Sequence, residues 1–177
     1  MDKEGRVLVV IDMQNDYFPG GLFPLWHSEA ALHAVEEAMK RARSLSIPIV
    51  LVQHVADPRT GLAPFFNHGS KGVEIHPAAL SAAPGAPVVV KGHADAFAGT
   101  NLEEVLSGLG ARHLLLCGMM TQNCVTHTAL SKSAEKYAIT ILTDCCTTVS
   151  EILHRIALNA LSSRVALVAG HDALATA

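Results

Sequence analysis

Short apolar runs, without the alternation of a half-exposed strand, constrain the fold of this chain more than any other feature. Examples are Val7–Ile11, Val88–Val90 and Leu114–Cys117. Continuous runs of this kind are typical of parallel strands that are covered on both faces. Amphipathic segments separate them, as at 29–45, where apolar side chains recur at helical spacing. The alternation predicts an α/β protein with three α/β/α layers and a mainly parallel sheet.

Six strands and four helices are predicted along the chain. The strands are expected near 6–11, 47–54, 87–91, 113–117, 139–143 and 165–169, and the helices near 29–45, 101–109, 123–136 and 150–161. Two long connections remain, 12–27 and 55–86, and connections of this length are usually functional or disordered. Their aromatic side chains could line a pocket or pack against a neighbouring subunit.

Composition fits one compact domain over residues 1–177, since half of the residues are hydrophobic. The net charge of −3 comes without a basic block, which argues against nucleic acid as a partner. No apolar run is long enough for a membrane span, and the N-terminus lacks a signal-peptide pattern. The four cysteines have no metal-type spacing, and an adjacent pair could form only a strained disulfide. We therefore expect reduced thiols and a cytoplasmic protein.

Three chemically able side chains lie at or just after predicted strands. Asp12 follows the first strand, Lys91 ends the third, and Cys124 lies in the turn Gly118–Val125 between a strand and a predicted helix. Ligands and reacting groups of parallel sheets collect at the carboxyl ends of the strands. The three side chains are therefore expected at one edge of the sheet.

Each of these residues also has an ordinary structural explanation. A strand-to-helix turn lowers the pKa of a thiol and favours the thiolate. Most free cysteines, however, are core residues, and Cys124 could be one of them. Asp12 could cap a turn, and Lys91 could be a surface side chain. The combination of the three, rather than any single one, indicates chemistry.

The three segments also carry a family resemblance. Ile11–Asp16, then Lys91 with Asp95–Phe97, then Gly118–Val125 resemble the motifs of the isochorismatase-like cysteine hydrolases, in the family's order. That superfamily includes nicotinamidases, N-carbamoylsarcosine amidase, ureidoacrylate and biuret amidohydrolases and streptothricin hydrolase. The resemblance spans roughly the whole chain.

The resemblance implies a Rossmann-like isochorismatase fold with six strands in the order 3-2-1-4-5-6. It implies a catalytic triad of Asp12, Lys91 and Cys124, and a cis peptide bond between Met119 and Met120. It further implies a homo-oligomer, either a dimer or a larger assembly, and a small-molecule substrate.

Such a site would hydrolyse a small amide or ureido C–N bond. Cys124 would attack the carbonyl carbon and form a thioester, which water then hydrolyses. Asp12 would take the thiol proton and pass it to the leaving nitrogen, while Lys91 would keep Asp12 ionised. The backbone N–H groups of Met120 and Cys124 are the candidates for the oxyanion hole.

Further pocket candidates follow from position and from one more motif. The segment Gly72–Pro77 resembles a Glu-Ile-His-Pro segment of metal-free family members, and its Glu74 could bond an amide N–H or a cationic group of the substrate. An ordinary exposed loop carboxylate is the alternative. The candidates that rest on placement at strand ends are Gln53, His54, Phe97 and Gln122.

No metal or cofactor is expected. Nicotinamidases carry an Asp-x-His pair after the second strand, and Val52–Asp57 lacks that pair, which argues against nicotinamidase activity. Zinc prefers three or four convergent ligands, and the scattered histidines offer no ligand spacing. Those histidines are His54, His68, His76 and His93.

Two other functions stay open at this stage. Hydrolysis of the vinyl ether of isochorismate is one, although some isochorismatases need no nucleophilic cysteine, so that Cys124 argues against it. A catalytically idle, homo-oligomeric scaffold is the other, and an intact triad argues against that.

Overall fold

A computed structural model describes residues 5–175, with a six-stranded sheet in which every neighbouring pair of strands is parallel. The strands are β1 Arg6–Ile11, β2 Ile49–His54, β3 Val88–Lys91, β4 His113–Met119, β5 Ala138–Thr147 and β6 Ala166–Val168. Their order in the sheet is β3-β2-β1-β4-β5-β6. The predicted α/β fold class and the predicted strand order are confirmed.

Six α-helices accompany the sheet within residues 5–175. They are α1 Ser28–Ser44, α2 Pro77–Ala82, α3 Leu102–Gly108, α4 Thr126–Ala129, α5 Glu151–Leu161 and α6 Gly170–Ala173. The predictions for α1, α3 and α5 are correct to within about two residues, the usual uncertainty of a helix boundary. Within residues 5–175 there is no helix with the length and apolar character that a membrane span requires.

The predicted helix at 123–136 is wrong in its extent. A wide π-helical turn occupies Thr121–Val125, the regular helix α4 has only four residues, and a single 3₁₀ turn follows at Lys132–Ala134. The segment is rich in β-branched and hydroxyl side chains, which are poor helix formers. The hydroxyl of Thr126 donates to the carbonyl oxygen of Thr121 at 2.6 Å and so satisfies a carbonyl at the start of the turn.

The two long connections hold each other through a buried carboxylate. Asp16 accepts a hydrogen bond from the N–H of Leu22 at 3.1 Å within its own loop. It accepts another from the N–H of Phe66 at 2.7 Å in the second loop. Tyr17 also packs on Phe66, with ring centroids 4.6 Å apart. The aromatic side chains thus join the two loops to each other next to the sheet edge.

Burial lowers the pKa of four histidines, so the stability of the protein is expected to fall in mild acid. These histidines are His54, His76, His113 and His154. Below the ordinary histidine pKa of about 6.5 the unfolded chain binds more protons than the folded one. The stabilisation from neutral rings is therefore present above that pH and is lost as the pH falls.

Thermal unfolding between pH 7.5 and pH 5 checks this expectation. For a chain of this size, each 1 kcal/mol lost lowers Tm by about 2–4 °C. A His113→Gln variant should lose less stability over the same range, because one of the four titrating rings is gone. A Tm that stays constant or rises on acidification contradicts the expectation.

Candidate active site

The carboxyl ends of β1, β3 and β4 bring Asp12, Lys91 and Cys124 together. The Nζ atom of Lys91 lies 2.8 Å from Oδ2 of Asp12 and 3.2 Å from Sγ of Cys124. The side chains of Asp12 and Lys91 are 0% exposed, and Cys124 is 1% exposed. Parallel strands place these ends at one edge of the sheet, which is why residues far apart in sequence meet here.

Lys91 has two further acceptors. Its Nζ lies 2.9 Å from Nδ1 of His54 and 3.1 Å from the carbonyl oxygen of His93. The register of the sheet explains the first contact, because His54 at the end of β2 pairs with Lys91 at the end of β3. The sequence pattern predicts His54 only as a pocket or metal candidate and gives no sign of its contact with Lys91, which depends on strand register.

The carboxylate of Asp12 keeps free acceptor capacity. Its backbone lies in the left-handed region, with φ of 53°, and its N–H donates to the carbonyl oxygen of Val52 at 2.9 Å. Apart from the ion pair with Lys91, neither carboxylate oxygen has a hydrogen-bond partner within residues 5–175. A buried carboxylate with unused lone pairs is a ready acceptor for a proton.

The electrostatics of Cys124 overturn the expectation of a low thiol pKa. Burial, followed by the charge of Asp12, raises the pKa of Cys124 well above its ordinary value, and the opposing effect of Lys91 is smaller. The helix after the turn has only four residues, so its dipole offers little stabilisation of a thiolate. Cys124 is therefore a thiol in the resting protein.

The ammonium of Lys91 stays charged in this site. Burial alone lowers the pKa of Lys91, but Asp12 and Cys124 outweigh burial and raise the pKa above its ordinary value. A permanent cation thus lies between a carboxylate and a thiol, where it stabilises negative charge on either one.

The turn that carries Cys124 has an unusual backbone. The peptide bond between Met119 and Met120 is cis, and Gly118 before it has φ of 118°. The carbonyl oxygen of Met120 accepts from the N–H groups of Asn123 at 3.0 Å and Val125 at 3.3 Å. These two bonds close the turn in which Cys124 lies.

A family model for the isochorismatase domain matches residues 6–173. The chain belongs to the isochorismatase family. Over 141 residues it is 33% identical to YddQ, an uncharacterized isochorismatase family protein of Bacillus subtilis, and the match covers 80% of this chain and 77% of that protein. The fold agrees with a protein from Oleispira antarctica assigned to the isochorismatase hydrolases, with a TM-score of 0.86, 30% identity, and coverage of 99% and 100%.

A relative with a named activity is streptothricin hydrolase from Streptomyces noursei. It is 29% identical over 124 residues, which cover 70% of this chain and 47% of that enzyme. The family match identifies the protein as an isochorismatase-family hydrolase.

Three potential metal ligands of this hydrolase, Asp12, His54 and Cys124, surround the ammonium group of Lys91. The nearest ligand atoms of Asp12, His54 and Cys124 lie within 4.8 Å of one another, a grouping that could hold a metal ion. The Nζ atom of Lys91 lies within 3.2 Å of all three and occupies the position that a cation would take. Because a divalent ion there would be repelled by Lys91, the donor set fits the built-in ammonium better than a metal.

The two glutamines predicted to bind substrate, Gln53 and Gln122, have partners within the hydrolase itself. The Nε2 atom of Gln53 donates to the carbonyl oxygen of Val73 at 2.8 Å. The Oε1 atom of Gln122 accepts from the hydroxyl of Thr148 at 2.5 Å. Each amide retains further hydrogen-bonding capacity, so their substrate contacts stay predictions.

The other two candidates differ in exposure. Phe97 is buried and stacks on Tyr137, with ring centroids 6.3 Å apart. Glu74 is exposed, and its side chain makes no hydrogen bond to the part of the hydrolase described, residues 5–175. A role in substrate binding stays a prediction for both.

Proposed function

We propose that this protein, as one catalytic domain over residues 1–177, hydrolyses a small amide or ureido C–N bond through a thioester on Cys124. The observation that carries the proposal is the buried cluster in which Lys91 contacts both Asp12 and Cys124. Membership of a hydrolase family supports the reaction class. The near-complete burial of Cys124 supports a small substrate.

The first step forms the carbon–sulfur bond. Asp12, whose oxygens have spare lone pairs, takes the thiol proton of Cys124 as the sulfur attacks the carbonyl carbon of the substrate. The pair of electrons of the C=O π bond moves to oxygen and gives a tetrahedral oxyanion. Lys91 lies 3.2 Å from the sulfur and stabilises the charge that passes through it.

The second step breaks the C–N bond. The backbone N–H groups of Met120 and Cys124 would hold the oxyanion. Each donor of this kind stabilises the transition state by about 3–4 kcal/mol. The oxyanion collapses, the nitrogen takes the proton from Asp12, and the amine or ammonia leaves. The product on the protein is a thioester of Cys124.

The third step returns the protein to its resting state. Asp12 takes a proton from water, and the resulting hydroxide attacks the thioester carbon. The tetrahedral species releases the carboxylic acid, and the sulfur of Cys124 recovers its proton from Asp12. The net reaction consumes one amide and one water and gives one acid and one amine.

Ammonia release from a panel of primary amides and ureides tests the proposal. The wild-type protein should release ammonia from at least one member, and Cys124→Ala should lower the rate by about 10³-fold or more. Cys117→Ala is the matched control, because Cys117 is equally buried but lies within β4. Mass spectrometry of quenched reactions should show the acyl group on the peptide that contains Cys124.

Three results would contradict the proposal. Ammonia release that survives Cys124→Ala would exclude a thioester on that sulfur. Turnover of isochorismate without any amide turnover would identify a vinyl ether hydrolase. A fully folded protein that turns over neither class would be the idle scaffold.

We further propose a homo-oligomer as the working state. Ile152 and Ile156 are 70% and 58% exposed on one face of α5, one helical turn apart. Together with Val149, which is 45% exposed, they form an apolar patch, and exposed apolar patches mark surfaces that meet another protein. Light scattering after size-exclusion chromatography should give a mass of at least twice the 18.7 kDa of one chain. A monomer mass at micromolar concentration would contradict this proposal.

A further inference from the structure

His54 links the buried cluster to the outside of the site. Its Nδ1 atom lies 2.9 Å from Nζ of Lys91, and its side chain is 21% exposed, whereas the side chain of Lys91 is 0% exposed. Nδ1 is also 3.9 Å from Oδ2 of Asp12, too far for a hydrogen bond. The ring is therefore in hydrogen-bond contact with Lys91 and not with the carboxylate of Asp12.

The main chain of His54 is fixed by a buried glutamine. Oε1 of Gln14 accepts from the N–H of His54 at 2.7 Å, and Nε2 of Gln14 donates to the carbonyl oxygen of His54 at 2.8 Å. Gln14 is 0% exposed and lies two residues after Asp12. The backbone that carries the imidazole is thus held in a fixed relation to the carboxylate.

The hydrogens of Lys91 are fewer than its acceptors. An ammonium has three N–H donors. Four acceptors lie within 3.2 Å of Nζ, and they are Oδ2 of Asp12, Nδ1 of His54, the carbonyl oxygen of His93 and Sγ of Cys124. Three of them, Nδ1 of His54, the carbonyl oxygen of His93 and Sγ of Cys124, are placed to accept its hydrogens, whereas Asp12 is its ion-pair partner. The position of the ammonium beside the sulfur is therefore fixed by its hydrogen bonds to His54 and His93 and by its ion pair with Asp12.

We propose that His54 is a positioning residue whose neutral ring accepts a hydrogen from Lys91 at Nδ1 and so holds the ammonium between Asp12 and Cys124. The inference rests on the proposed function, since it concerns the chemistry at Cys124. An acceptor at Nδ1 leaves the ring proton on Nε2. A doubly protonated ring cannot accept, and it places a second cation beside Lys91, so that protonation of His54 disorders the cluster.

The charged and titratable groups around the ring favour its neutral form. Burial lowers the pKa of His54, Lys91 lowers it further, Asp12 opposes them, and His93 lowers it slightly. Cys124, a thiol at rest, is a further titratable group near the ring, and Tyr17 is a buried phenol beside Asp12 and Cys124. The ring is therefore an acceptor at neutral pH and loses this capacity only in acid.

Nuclear magnetic resonance of ¹⁵N-histidine-labelled protein tests the contact without any substrate. The His54→Asn spectrum assigns the His54 signals by their disappearance. We expect Nδ1 to be the unprotonated nitrogen, with a pKa below the ordinary histidine value of about 6.5. Lys91→Met, which removes the neighbouring cation, should raise the pKa of His54. A proton on Nδ1, or a titration that is unchanged by Lys91→Met, overturns the inference.

Steady-state kinetics on an amide found in the screen test the functional consequence. His54→Asn places an amide oxygen near the position of Nδ1 without a titrating group, so kcat near neutral pH should stay within about threefold, and the acid limb of the pH profile should move to lower pH. His54→Ala should lower kcat by about 10- to 100-fold, since a misplaced reacting group costs that much. His33→Ala, on the exposed side of α1, is the matched control.

The histidine titration and the kinetics of the His54 variants together distinguish failure of this inference from failure of the proposed function. If the amide screen yields no substrate, the proposed function fails, while the histidine titration still decides whether Lys91 and His54 are coupled. If amides are hydrolysed and His54→Ala keeps wild-type kcat, or His54→Asn keeps the wild-type acid limb, the inference fails and the proposed function stands.

Discussion

Replacing Asp12 with asparagine is expected to stop hydrolysis and, at the same time, to speed the alkylation of Cys124. The negative charge of Asp12 raises the pKa of the Cys124 thiol, so its removal increases the fraction of thiolate. Each unit by which the pKa falls gives about ten times more thiolate, against about a threefold loss of intrinsic nucleophilicity. Hydrolysis needs Asp12 as proton acceptor and should fall by about 10²–10⁴-fold.

Lys91→Met is the matched variant, and it should change the reactivity of the Cys124 thiol in the opposite direction. Removal of the cation that lies 3.2 Å from the sulfur should raise the pKa of Cys124 and slow its alkylation, while hydrolysis also falls. The two variants thus act alike on turnover and in opposite directions on thiol reactivity. Iodoacetamide labelling resolved by peptide, at several pH values, provides the measurement, and the peptides with Cys117 and Cys146 are internal controls.

The folding of both variants must be established first, because each leaves a buried charge without its partner. Breaking a buried ion pair on one side costs about 3–5 kcal/mol. The double variant Asp12→Asn/Lys91→Met removes both charges, so it should unfold at a higher temperature than Lys91→Met, with an intermediate rate of alkylation. If Asp12→Asn slows alkylation in a folded protein, the resting thiol and the role of Asp12 described above are wrong.

Gly118→Ala is expected to lower the free energy of unfolding by roughly 3 kcal/mol or more, as overpacking and backbone strain each cost about 1–3 kcal/mol. A Cβ atom at Gly118 would lie 1.9 Å from the carbonyl oxygen of Ile11 and 2.7 Å from its nitrogen. The φ of 118° is also a conformation that alanine rarely adopts. Since Ile11 precedes Asp12, the displaced strand would carry the carboxylate away from Lys91.

Gly108→Ala is the control for this substitution. Nothing lies within 4 Å of a Cβ atom at Gly108, the last residue of α3, so the change should be neutral or stabilising by up to about 1 kcal/mol. Urea unfolding followed by circular dichroism compares the two variants. Equal stabilities would show that β4 can move away from β1 without cost.

Much of the architecture could be predicted because strands and helices have different apolar spacing. The run Val7–Ile11 lies entirely in the buried strand β1, and Asp12 follows it at the predicted edge. The convergence of Asp12, Lys91 and Cys124 follows from the same rule, since parallel strands end at one edge. Asp12 and Lys91 at the ends of two apolar runs, and Cys124 in the turn after a third, together predicted the cluster.

Short elements inside long connections escaped prediction. The six residues of α2, Pro77–Ala82, lie within the connection 55–86, and a single helical turn or two has little apolar periodicity to detect. A signal was present nonetheless, because proline favours the first helical position. His76 before it caps the helix, with Nδ1 accepting from the N–H of Ala78 at 3.2 Å.

Features that depend on how deeply a side chain is buried, or on the register between strands, could not be predicted from the sequence pattern. The pKa of Cys124 depends on how completely the fold covers the thiol, and a motif does not give that depth. The contact between His54 and Lys91 depends on which residue of β2 pairs with which residue of β3. A shift by one residue would turn the imidazole to the other face of the sheet.

The loop tip at 67–70 is anchored on both sides by side chains that follow β1. On one side, Asp16 accepts from the N–H of Phe66. On the other, Asn15 donates to the carbonyl oxygen of Lys71 at 2.8 Å and Gln14 to that of Val73 at 2.7 Å. Within the tip, the side chain of Asn67 bonds the backbone of Ala63, and the hydroxyl of Ser70 accepts from the N–H of Val73. The exposed residues between them are His68 and Gly69. For the engineer this makes His68 a position where the exposed end of the loop can be varied while the two long connections stay joined.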